Sequence, residues 1–229
     1  GEMHTGKKGT ATYEVPANTE RLYLCVLAAP DKYNRNAWDD DETNDEQWPY
    51  RVKFSGTDLL GNVTIPEGDP TDVETSLEVS LDASSESYPL HTFNLLNDGV
   101  MEKIAKAFKL QPSEIAGATL ETGVVKAEGF TGPADGKVAV GLTNPDGSVS
   151  YAYSANGIGF WIAEDGSAGV WGDGTKIYFE YDAGGYALTV GHKPGASEKG
   201  KTYTIKPTMV YNKNGKLHKA VITIKMKFA

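Results

Sequence analysis

Alternation of apolar and polar residues recurs along most of the chain, the two-residue period of a strand with one face buried. It is cleanest near the end, where Ala220, Ile222, Ile224, Met226 and Phe228 share one face and Lys219, Thr223, Lys225 and Lys227 the other. Residues 203–211 read as a second strand, and Asn212-Lys213-Asn214-Gly215 supplies residues that tolerate a left-handed backbone, so the two are expected to form a hairpin. The same logic pairs 176–182 with 186–191 across Ala183-Gly184-Gly185, and 159–163 with 168–172 across Glu164-Asp165-Gly166. Residues 13–15, 22–28, 50–54 and 77–81 read as further strands.

One stretch has the other period. Between 97 and 110, Val100, Ile104, Ala105 and Phe108 recur at helical spacing, with Asn97 or Asp98 as the expected cap. Pro112 then opens a second helix, expected to be one turn long. The pair imitates a helix-turn-helix, but the second helix is too short for recognition and lacks Arg and Lys for bases or phosphates. Successive parallel strands would need a crossover helix each, and only one helix of that length is visible. The expected fold is therefore mainly β, an antiparallel β-sandwich with one short helical pair at about 98–116, preceded by a few N-terminal strands.

Charge divides the chain. Residues 1–84 hold 17 acidic and 7 basic side chains, against 14 and 15 in the rest, so the whole surplus behind the net charge of -9 lies in the first third. Two prolines and two glycines crowd the stretch from Gly61 to Asp72, which places a linker at 66–72. The expected parts are an N-terminal β segment with an acidic loop, 1–66, and a sandwich domain with its helical cap, 73–229. The acidity argues against nucleic acid as a partner. The longest apolar run, residues 22–30, is far short of the roughly 20 residues of a spanning helix, so no transmembrane segment is expected. The single cysteine, Cys25, excludes an internal disulfide and reads as a small buried hydrophobe in a strand apolar on both faces.

The run Gly157-Ile158-Gly159-Phe160-Trp161-Ile162-Ala163-Glu164-Asp165-Gly166, followed by Val170-Trp171-Gly172-Asp173, carries a resemblance. With the helix at 100–110, the loop Gly191-His192-Lys193-Pro194-Gly195 and the strand at 203–211, it resembles the domain of unknown function numbered 4859, over about residues 75–228. That domain recurs in secreted and surface lipoproteins of gut Bacteroides and relatives, sometimes attached to glycan-degrading modules. The resemblance implies an extracellular, periplasmic or outer-surface setting and carries no catalytic residues. Where its members usually have a Trp-Phe pair this chain has Trp161-Ile162. Residues 1–66 are similar to the closing β segment of larger secreted proteins, some with metallopeptidase domains, but the chain lacks His-Glu-x-x-His.

Two constellations are candidates for binding. Asp39-Asp40-Asp41-Glu42-Thr43-Asn44-Asp45-Glu46 is dense in oxygen ligands, and Asp39, Asp41 and Asp45 are the candidate Ca²⁺ ligands, although the spacing is not that of an EF-hand and a solvated loop is the competing reading. The second is aromatic: Trp161, Trp171 and Tyr178 lie among strands and offer flat faces to the apolar faces of a glycan, with Trp38 and Trp48 as second choices. Packing of the sandwich is the competing reading for most of these rings. No motif for nucleophilic, phosphate or dinucleotide chemistry is present, and Glu180 and Asp182, on one strand face, read as a wet face as readily as a glycosidase pair. The four histidines read as loop or surface residues. The expectation is a non-catalytic module, glycan-binding or adhesive, with a structural spacer or protein-interaction domain as the alternative and a hydrolase behind both.

Overall fold

A computed structural model describes residues 63–125, 129–151, 157–172 and 174–229. They form two sheets and two helices. Sheet A runs β1 (Val73–Leu81), β11 (Lys216–Phe228), β10 (Pro207–Lys213), β3 (Val138–Thr143) and β4 (Val149–Tyr151), with β9 (Thr202–Ile205) also on β11. Sheet B runs β2 (Pro89–Asn94), β8 (Ala187–His192), β7 (Thr175–Asp182), β5 (Ile158–Ala163) and β6 (Ala168–Gly169). The inner faces meet in one core, to which β11 brings the alternating set Ala220 to Phe228, and β5, β7 and β8 bring Phe160, Ile162, Ile177, Phe179, Leu188 and Val190. Phe160 stacks on Phe179 within sheet B, and Phe228 of sheet A meets the ring of His192 of sheet B at 5.6 Å. The architecture is the expected β-sandwich with a short helical pair.

Several elements differ from the sequence reading. The strand expected over 203–211 is broken between β9 and β10 at Lys206, where Pro207 has no N–H to donate; the two pieces line one side of β11 while β1 lines the other. The β1–β11 pairing is parallel, which needs no crossover helix because the strands are far apart in sequence. Helix α1 (Val100–Phe108) starts after Gly99 in a left-handed conformation, and neither Asn97 nor Asp98 caps it. Asn94 instead accepts hydrogen bonds from the N–H groups of Leu96 and Asn97 in the preceding turn. Helix α2 (Pro112–Thr122) has eleven residues rather than one turn. Its buried Thr119 hydroxyl donates to the Ile115 carbonyl at 2.7 Å, which satisfies a polar group that interrupts the apolar stripe. The length argument against a DNA-reading motif therefore falls, but α2 carries neither Arg nor Lys, so the exclusion stands on charge.

Residues 66–72, expected as a linker, are tied to this domain together with Val63. The Gln111 side chain exchanges two 3.0 Å hydrogen bonds with the backbone of Val63, Thr71 donates to the Ala107 carbonyl, and Asp72 accepts from the N–H of Lys219. His192 and His218 are buried, not on the surface. His192 Nδ1 lies 2.9 Å from the Lys193 carbonyl and 3.1 Å from the Ser197 hydroxyl. No described helix is long and apolar enough to cross a membrane.

Candidate ligand-binding face

On β5, Phe160 and Ile162 turn into the core, so alternation sends Gly159 and Trp161 outward. The ladder sets Trp161 opposite Tyr178 on β7 and Gly169 on β6, and Tyr178 opposite Gly191 on β8. One transverse row on the outer face of sheet B therefore reads Gly191, Tyr178, Trp161, Gly169. The row beside it, about 7 Å along the strands, reads Thr92, Thr189, Glu180, Gly159. An aromatic row lies next to a polar one because neighbouring outward positions on β7 are Tyr178 and Glu180.

The rings are held in place. Trp161 lies 5.0 Å from Tyr178 and meets Tyr88, just before β2, edge-on at 6.4 Å. The buried Tyr178 ring lies over Gly191, where a Cβ would come within 2.6 Å of its ring and 2.0 Å of the Tyr88 carbonyl. Trp171, in the turn after β6, is 62% exposed, and the Lys193 ammonium sits 5.4 Å from its ring centroid. Burial, with the Glu180 charge adding to it, pushes the Tyr178 hydroxyl up to about 12, so it stays a proton donor at physiological pH. The Thr92 and Thr189 hydroxyls bond each other at 2.8 Å on the polar row.

These side chains line two adjoining cavities. The first, about 370 Å³, lies between Tyr88, Trp161, Trp171 and Tyr178. The second, about 230 Å³, continues past Gly159 and Glu180 to Asp182 and Ala187. The structure thus brings together the three aromatic residues singled out from the sequence, Trp161, Trp171 and Tyr178. Sequence reasoning missed Tyr88, which stands outside any alternating run and reaches the site only through the β2–β8 pairing. It also missed the register that turns Glu180 into the neighbour of Trp161.

Glu180 and Asp182 are both exposed, whereas the proton-donating carboxyl of a glycosidase is set in apolar surroundings. Asp182 is further engaged by the N–H of Gly184 at 3.0 Å in the β7–β8 turn. The arrangement offers flat faces and hydrogen-bonding groups rather than an acid and base around a bond. The candidate Ca²⁺ ligands Asp39, Asp41 and Asp45 lie outside the described residues, as do Trp38, Trp48 and Cys25. Among the described residues no three metal-ligating side chains converge.

A family model described as Domain of unknown function (DUF4859) matches residues 87–216, from just before β2 to the start of β11. A second, Family of unknown function (DUF6055), matches residues 1–61. No curated protein and no solved structure matches the chain.

Proposed function

The chain belongs to the family described as Domain of unknown function (DUF4859), and from that premise we propose that it is a non-catalytic glycan-binding module whose ligand lies across the outer face of sheet B. The observation that carries the reading is the open aromatic groove of Tyr88, Trp161, Tyr178 and Trp171. Trp171 and Tyr88 are exposed, Trp161 is half-buried and Tyr178 forms the buried floor; aromatic surface left facing water is a feature of binding faces, and rings beside fixed polar groups suit a ligand with apolar ring faces and peripheral hydroxyls. A place outside the cytoplasm, on a surface lipoprotein, belongs to the same proposal and rests on the resemblance of the Gly157–Asp173 run.

The test is a glycan array probed with the full chain, followed by titration of any hit. Trp171→Ala is expected to weaken binding about tenfold or more with an unchanged melting temperature, because that ring contributes little to the core. Trp161→Ala should weaken binding too, with some loss of stability from its contacts to Tyr88 and Tyr178. Silence across plant, host and microbial glycans would overturn the proposal and leave a spacer role.

A further inference from the structure

The charged residues that line the two cavities are Glu180 and Asp182; neither lining set contains Lys, Arg or His. Glu180 forms no ion pair among the described residues. Asp182 is held by a backbone N–H, which leaves its charge in place. The nearby cations stand away from the Glu180 row: Lys193 keeps its charge over Trp171 at the aromatic end, and Lys176, also outward on β7, pairs with Glu164 at 2.8 Å and Glu198 at 3.7 Å. The groove is therefore apolar at one end and singly signed at the other.

Resting on the glycan-binding reading, we infer that the groove selects its ligand by charge: it favours amine-bearing sugars of the glucosamine type and disfavours uronate or sulfated ones. A pyranose stacked on Trp161 projects its ring substituents toward the next row, about 7 Å along the strand, where Glu180 stands. An ammonium there meets a carboxylate with no competing protein cation. A sugar carboxylate there meets like charge at a partly desolvated surface. Exposed pairs of this kind are worth modest energies, so the preference is about two- to fivefold in each direction, and salt screens it within a Debye length.

The experiment is calorimetric titration of the full chain, at low salt and below the titration of the sugar amine. The ligands are a glucosamine tetramer, its N-acetylated counterpart and a galacturonate tetramer. The expected order of affinity is amine, neutral, uronate, with the spread collapsing as salt is raised. Glu180→Gln should bring the ratio of amine to N-acetyl affinity close to one. Uronate binding as tight as the neutral tetramer, or an amine preference that survives Glu180→Gln, overturns charge selection while Trp171-dependent binding of the neutral tetramer upholds the groove. If none of the three binds, the groove reading itself fails and the inference with it. A lysine-rich peptide that binds where the tetramers do not would assign the face to protein and overturn the inference.

Discussion

Gly191 decides where Tyr178 lies. Its missing Cβ leaves space that the Tyr178 ring and the Tyr88 carbonyl both occupy, the latter accepting from the His192 N–H at 3.1 Å. Gly191→Ala must move one of them, and the carbonyl is fixed by that hydrogen bond. Overpacking of this kind costs about 1–3 kcal/mol, and the ring that moves is a wall of the groove. The expected outcome is a lower denaturation midpoint together with weaker oligosaccharide binding; wild-type affinity in this variant would show that the seat of Tyr178 is irrelevant to the site. Turns elsewhere in the domain use another single-residue device, found three times as Asp-x-Ser. In Asp82-Ala83-Ser84, Asp146-Gly147-Ser148 and Asp165-Gly166-Ser167 the serine N–H and hydroxyl both donate to one carboxylate oxygen, at 2.9 Å and 2.6–2.7 Å. Those serine donors hold all three carboxyls below the usual range. The turns are thus set at neutral pH and loosen in acid, as the pH falls through the lowered folded values.

At the scale of the element, the contrast between α1 and β3 shows what a sequence can disclose. Helix α1 buries Val100, Met101, Ile104, Ala105 and Phe108 along one stripe, and Phe108 packs on Tyr211 of β10 at 5.5 Å. Phe108→Ala removes a fully buried ring and is expected to cost about 3–5 kcal/mol in chemical denaturation. Glycan affinity of the folded fraction should be unchanged, because α1 packs on sheet A and the groove lies on the outer face of sheet B. A stripe like that of α1, and the alternation of β7, β8 and β11, are readable because one face is wet. Strand β3 is apolar on both faces, with Val138, Val140 and Leu142 in the main core and Ala139 in a second cluster with Val125, Tyr151 and Val210, so it has no period to read. Strand β2 is a bulged edge with mostly exposed residues, and α2 has its stripe interrupted by threonine and glycine. The site was legible in its parts, since Trp161, Trp171 and Tyr178 announce themselves by type. Their assembly was not, because it depends on the registers of β5 with β7 and β7 with β8, which no local pattern encodes.

At the largest scale, the described domain is closed by long-range pairing. The parallel β1–β11 ladder joins residues 73–81 to residues 220–228, reinforced by the ion pair of Lys227 with Glu78 and by the Ala229 N–H donating to the Leu81 carbonyl. Core packing between the sheets therefore forms only when distant segments meet, the kind of topology that folds slowly. The packing also buries phenols. Tyr181 is pushed well above the ordinary tyrosine value by burial, with Tyr186 and Asp182 adding to it, and Tyr151, Tyr186 and Tyr203 are raised by burial as well. Each of these groups is neutral when protonated and has a folded value above its unfolded value of about 10. Below that pH both states are protonated and the full stability is present. Above it the unfolded chain releases protons that the folded chain keeps, so stability falls with rising pH until the folded values are passed. Five tyrosines act in the same direction once Tyr178, at about 12, is included. Thermal melts across the alkaline range should hold a plateau to about pH 10 and then fall, with the share of tyrosinate absorbance owed to these five of the twelve tyrosines appearing together with unfolding rather than before it. Tyr181→Phe, which also removes a buried hydroxyl that has no hydrogen-bond partner among the described residues, should soften that fall without lowering the plateau. An absorbance rise near pH 10 that accounts for all five phenols while the sheets remain folded would show that these hydroxyls are not shielded from water.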